Sequence, residues 1–415
     1  MYQKSISFIK NNPFKALILI LSLLVIKEMI YIQTFQDTVS PVADGYSEAN
    51  AIRGAVNFHD NGFSPTSGLP FFNHPTILTE FGNSKDRAAY THYPPGPEYV
   101  NWFWMLLFGK GQFNLSRYFH ILLSFFIGIY FLHFFFHFVG GGLRGFVLGL
   151  LLVLPPMYSN YMHGLHYQQL AFLILQLQIV ITMLYFQDNK KIYLLSFLLM
   201  GFFQGWLSFD FAFLASLHAI PLFILMKEKY SLKLKSLIFP VLLSGIGFTT
   251  AHGIHFYQVV HYLGGMENAL KDFTQTASHR ANNTVSETYK ANPKYLSDQI
   301  GLFSVAKDFL YRVAGRGKYL AINLMNFIWI IIALRFIKKM ETKKYCFEFE
   351  LRNSDLLALG SSVLVSSFWS IIMRQHAHIH GFIARHYYFC YLFCCLILVT
   401  RTSVFKKDQS LAVAK

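Results

Sequence analysis

The chain has 415 residues, 54% hydrophobic and 14% charged, with 44 Phe. A soluble domain carries about 25% charged residues, so this composition excludes an ordinary soluble enzyme and calls for helices or a closed barrel, which satisfy their backbone polar groups within lipid. The net charge of +15 does not indicate nucleic acid, because Lys and Arg gather in short segments between apolar runs, as in membrane proteins.

Those apolar runs are continuous rather than alternating, which selects helices. Met1–Tyr31 begins like a signal peptide, with Lys4, Lys10 and Lys15 ahead of Ala16–Ile26. No small-x-small cleavage site follows, so the segment reads as an uncleaved first span. A length of ~20 residues per span then lays out about ten spans. They centre on Ser22, Phe126, Leu150, Leu175, Leu198, Leu217, Leu243, Trp329, Val363 and Cys390. Alternation from a cytoplasmic N-terminus puts Arg144, Lys190-Lys191, Lys227–Lys235, Arg335–Lys344 and Arg401–Lys407 on the same side, as the positive-inside rule requires.

The expected fold is an all-α, polytopic membrane helical bundle forming a single integral-membrane domain over 1–415, with both termini cytoplasmic. Two long segments, Gln33–Asn114 and His255–Lys318, then face outward. Both exceed ordinary connection lengths and are candidates for function. The first carries helical patterns over Tyr46–Phe58 and Tyr99–Phe108. Cys390, Cys394 and Cys395 share one apolar helix without metal-ligand spacing and read as core residues.

Chemistry-bearing residues cluster on the outer side. Asp44-Gly45-Tyr46-Ser47-Glu48 follows Pro41 just beyond the first span. Asp44 fits a helix N-cap. With Glu48 one turn further on, the carboxylates also fit a divalent-cation site or a general base. In Thr91-His92-Tyr93-Pro94-Pro95, each proline fixes its own φ and restricts its predecessor. That either steers the chain back to the bilayer or holds His92 and Tyr93 in fixed directions. His376, His378 and His380 alternate and, if extended, share a side. They are a candidate zinc site or interfacial side chains. His163, His166, His255 and His261 fall on the same outer face. Asp210 sits at an outer turn, either exposed or lining a cavity, and Lys27-Glu28 reads as a self-satisfied pair.

Taken in order, these features resemble the integral-membrane C-type glycosyltransferases, the superfamily of protein mannosyltransferases and lipid A aminoarabinose transferases. The residues that carry the resemblance are the acidic stretch Asp44–Glu48, Tyr93-Pro94-Pro95 through Trp104 to Phe108-Gly109, Gln112–Arg117, and Ala384-Arg385-His386-Tyr387-Tyr388. Gly45 stands where many relatives carry Glu, and Tyr93 where some carry Lys.

The resemblance implies a polyprenyl-phosphate sugar donor, an acceptor presented at the outer face and inversion at the anomeric carbon. It gives the catalytic role to Asp44 as general base with Glu48 beside it. Arg385 and Arg117 would bind the donor phosphate, and His92, Tyr93 and Tyr387 would position the acceptor or substrate. A divalent metal at His376, His378 and His380 is compatible with the reading, and no other cofactor is implied. The alternative is a transporter or lipid-linked-sugar flippase, although no internal repeat of the transporter kind is visible. The expected location is a multi-pass plasma membrane, a bacterial inner membrane above others.

Overall fold

The computed structural model describes residues 11–34, 45–70, 89–155, 158, 162–281, 345–373 and 384–406. In chain order its helices are α1 (Pro13–Ile32), α2 (Gly45–Asn61), α3 (Gly96–Phe108), α4 (Phe113–Phe138), α5 (Gly142–Val153), α6 (Tyr167–Asp188), α7 (Ile192–Leu207), α8 (Ala212–Leu217), α9 (Ala219–Tyr230), α10 (Leu234–Tyr262), α11 (Met266–Ala281), α12 (Asn353–Ile372) and α13 (Ala384–Arg401). Among the described residues, the regular structure is helical apart from a short antiparallel pair, β1 (Tyr345–Phe349) with β2 (Thr402–Lys406). Beside that pair, Arg401 Nε and Nη2 each lie 2.7 Å from an oxygen of Asp355, joining the start of α12 to the end of α13.

Every expected span centre within the described residues lies in a helix, and Trp329 lies outside them. Helices α4, α6, α10 and α12 are long and apolar enough to cross a membrane. Helices α5 and α7 are apolar but reach only 12 and 16 residues. The span expected around Leu217 is two helices meeting at His218, because Pro221 has no N–H to bond the Leu217 carbonyl.

Exposure follows the pattern lipid demands. Leu19, Leu23, Ile26 and Ile30 of α1 and Leu122 and Phe126 of α4 face outward, while Gln168, Gln169, Gln176 and Gln178 of α6 are buried. Lipid solvates apolar side chains as well as a protein core does, so polar groups are what gain from turning inward. Helix α6 is central: 72% of its apolar window is buried, against 28% for α10. Its glutamines and Thr182 tie it to its neighbours. Gln169 Nε2 donates to the Ser124 hydroxyl, Gln178 Nε2 to the Ala215 carbonyl at 3.2 Å, and Thr182 Oγ1 lies 2.8 Å from His218 Nε2. From α7, Gln204 Nε2 returns a bond to the Ala171 carbonyl at 2.8 Å.

Helices α7 and α10 approach through small residues. Gly201 and Gly205 form a GxxxG stripe on α7. A Cβ on Gly201 would collide with the Ser244 carbonyl, and one on Gly247 with the Leu198 carbonyl. Such contacts let backbones pack closely where no hydrophobic force drives association. We therefore expect Gly201→Leu to separate this pair and abolish a monodisperse peak in size-exclusion chromatography. Gly253→Leu, where a Cβ meets nothing within 4 Å, should run as wild type. Equal behaviour of the two would show that close approach is dispensable.

The segments that follow α1 pack onto this frame. Helix α2 and the turn after it pack on α3 through aromatic rings: Phe58–Tyr99 centroids are 5.2 Å apart, and Phe63, just past α2, lies 4.8 Å from Trp102. Gly96 lies so close to α7 that a Cβ there would meet the Trp206 carbonyl. The second long segment starts later than expected. Helix α10 runs unbroken past His255 to Tyr262, because its polar residues face other elements; His255 Nε2 lies 2.9 Å from the Thr91 carbonyl oxygen.

Candidate functional site

The backbone segment Met162–His166, leading into α6, is gripped by side chains from four helices. The Leu165 N–H donates to Glu48 Oε1 of α2 at 3.3 Å. Asn101 Nδ2 of α3 donates to the Leu165 carbonyl at 2.7 Å. His120 of α4 accepts from Trp104 Nε1 at 2.9 Å on Nε2. That leaves its Nδ1–H to donate to the Gly164 carbonyl, also at 2.9 Å. From α1, Glu28 Oε2 meets His163 Nδ1 at 2.7 Å. His166 caps α6 by accepting the Gln168 N–H at 3.2 Å. Each of these polar side chains is buried, so the contacts replace water that none of them can reach.

Two of the sequence-predicted residues meet here. Glu48 and Arg117 are both fully buried, with Arg117 Nη2 3.0 Å and Nε 3.3 Å from Glu48 Oε1. Arg117 Nη1 also donates to Asn114 Oδ1 at 3.0 Å. The guanidinium expected to bind a phosphate is thus engaged inside the protein.

The other expected residues are placed elsewhere. His92 Nε2 stands 3.7 Å from Asp272 Oδ1 of α11. The Tyr93 ring stacks on Tyr90 at 5.9 Å and Tyr167 at 6.2 Å. Tyr387 is buried on α13, its hydroxyl 3.1 Å from Ser370 Oγ of α12. Arg385 falls in the first turn of α13, and its side chain lies outside the described part. Asp44, His376, His378 and His380 also lie outside the described residues. Among the described residues, no three His, Cys, Asp or Glu side chains are grouped so as to hold a metal ion.

A second polar group gathers around the turn between α7 and α8. Asp210 is buried there, not exposed, and Tyr167 donates to its Oδ2 at 2.7 Å. The neighbouring Phe209 ring stacks on His252 of α10 at 3.8 Å and lies 6.4 Å from both Tyr93 and His255. Of these residues Asp210, Tyr93 and His255 stood out in the sequence. Tyr167 and His252 belong to no motif or spacing that sets them apart in the sequence.

Glu98 and Asp272, both outside the spanning helices, have displaced acidities. Burial in the first turn of α3 pushes Glu98 up to about 8, against an ordinary 4.5. Its Oε2 is buried with no hydrogen-bond partner, and its side chain lies against Gly54 of α2. For Asp272, burial acts to raise the pKa, but hydrogen bonds from His92 and Thr91 outweigh it and the net displacement is downward.

Between α3, α4, α6 and α7 lies an almost wholly apolar cavity of about 390 Å³, lined by Tyr99, Phe103, Trp104, Leu123, Leu173 and Trp206 among others. Its Gly96 and Leu207 walls are each three residues from Tyr93 and Asp210. The helices and their outward apolar faces define the class: a helical membrane protein. No protein-family model matches the chain, and no curated protein matches it significantly.

Proposed function

We propose that this protein is a membrane glycosyltransferase that moves a sugar from a polyprenyl-phosphate donor to an acceptor at the outer face. The observation that supports the reading is the apolar cavity of about 390 Å³ ending beside the polar groups around Tyr93 and Asp210. An isoprenoid tail needs the first, and a phosphosugar head needs the second. In this reading the chain crosses the membrane about ten times, with both termini cytoplasmic and the segments after α1 and α10 outside.

Asp44, ionised, takes the proton from the acceptor hydroxyl as its oxygen attacks the anomeric carbon. The bond from that carbon to the phosphate oxygen breaks, its electron pair stays on the polyprenyl phosphate, and the anomeric centre inverts. Arg385 donates hydrogen bonds to the departing phosphate. Glu48, four residues after Asp44, is held by Arg117 and serves to fix the start of α2. That geometry favours Asp44 over Glu48 as base and Arg385 over Arg117 at the phosphate. His92, Tyr93 and Tyr387 keep positioning roles, and His376, His378 and His380 remain the place for any divalent metal.

Purified protein incubated with a panel of polyprenyl-phosphate sugars and an acceptor-containing membrane extract should release free polyprenyl phosphate. The Asp44→Asn variant should lose that release by at least ~100-fold, as expected on removing a general base. Equal release by both would remove Asp44 from the mechanism. The cavity also suits a lipid-linked-sugar flippase, which would move donor across vesicles and release no polyprenyl phosphate.

A further inference from the structure

The surface of α11 divides into three sides. One is docked: Ala269 is buried with Leu69, Ala89 and Val259, and Asp272 faces His92 at 3.7 Å. The second is polar and exposed, carrying Glu267, Asn268, Lys271 and Gln275. Between them runs a stripe with no polar residue: Met266, Leu270 and Phe273 at helical spacing, 55%, 49% and 49% exposed. Three large apolar side chains on one side of a 16-residue helix exceed the scattered exposure of an ordinary surface.

What covers this stripe follows from where α11 begins. On α10, Leu242, Ile246, Ile254 and Tyr257 form an exposed apolar stripe, Tyr257 at 69%, as on a lipid-facing span ending in an aromatic interface residue. From Tyr257 to the end of α10 at Tyr262 the helix climbs ~8 Å. A turn through Gly264, at φ +76°, then starts α11. That height corresponds to the headgroup layer, where amphipathic helices lie with one side buried.

We propose that α11 rests in the outer headgroup layer, with Met266, Leu270 and Phe273 inserted among the lipids and Lys271 toward water. The occupant of the apolar stripe is the bilayer surface itself. Since α11 also carries Asp272, its seating in lipid holds the 89–95 segment through His92. This inference does not depend on the transferase reading.

The test places the photoreactive amino acid benzoylphenylalanine at Leu270, Lys271 or Tyr257, one at a time. Each full-length protein is reconstituted in nanodiscs of phosphatidylcholine and phosphatidylglycerol with a fluorescent phospholipid and irradiated. Labelling at position 270 should approach that at 257 and exceed that at 271 by about fivefold, the contrast of an interfacial helix. Strong labelling at 257 with equal labelling at 270 and 271 would overturn the proposal. Absence of labelling at 257 as well would overturn both the proposal and the lipid-facing side of α10.

Discussion

Arg117→Met should lower the stability of the protein by ~3–5 kcal/mol, the typical cost of leaving one member of a buried ion pair alone. Arg117 and Glu48 are both fully buried. Without the guanidinium, Glu48 Oε1 keeps the Leu165 N–H at 3.3 Å and loses two charge-assisted bonds. The pair itself need not be stabilising, since removing two charges from water is costly. The double variant Arg117→Met with Glu48→Leu should therefore recover a large part of the loss. Thermal unfolding in mild detergent measures both. A double variant as unstable as the single one would mean that the bonds to Asn114 and Leu165, rather than the charge pair, carry the stability.

The second large effect is a pH dependence at Glu98. Folded, this carboxyl holds its proton to about pH 8; its ordinary value is 4.5. Between those values the native state binds a proton that the unfolded state has released, so stability falls as pH rises and levels off above about 8. The upper bound is about 5 kcal/mol across the window, at about 1.4 kcal/mol per unit. Glu98→Gln stays neutral and should remove this slope. Unfolding temperatures from pH 5 to 8.5 should show the variant gaining on wild type as pH increases. Tyr99 also faces this region, but burial raises its hydroxyl from 10.0, so it titrates above the window. Parallel curves for the two proteins would show that Glu98 is hydrated or already ionised.

Local patterns made much of the frame readable in advance. The apolar periodicities at Tyr46–Phe58 and Tyr99–Phe108 became α2 and α3, a few residues longer, since amphipathic spacing acts within a few turns. The break at His218 also had a local cause in Pro221, overlooked because the hydropathy there never falls. The pairings were not readable. Lys27 and Glu28 do lie 3.4 Å apart, but Lys27 is 58% exposed. The close partner of Glu28 is His163, 135 residues away, at 2.7 Å. Tyr167 reaches Asp210 across 43 residues, and His92 meets an aspartate of α11. Such contacts follow from how helices are arranged in space, which no spacing along the chain encodes. The same holds for Arg117, whose place opposite Glu48 turned a phosphate-binding candidate into an internal brace.

The grip on Met162–His166 also bears on how the protein is made. Its partners Glu28, Glu48, Asn101 and His120 all precede it in the chain, and Glu48 and Leu165 are 117 residues apart. At about 5–20 residues per second, roughly 6 to 23 seconds pass between their syntheses. During that interval the first helices leave the ribosome with polar groups that have not met their final bonds. Early intermediates should therefore be held by the insertion machinery or by chaperones. Nascent chains stalled before residue 162 should be far more sensitive to protease than chains stalled after the whole of α6 has emerged.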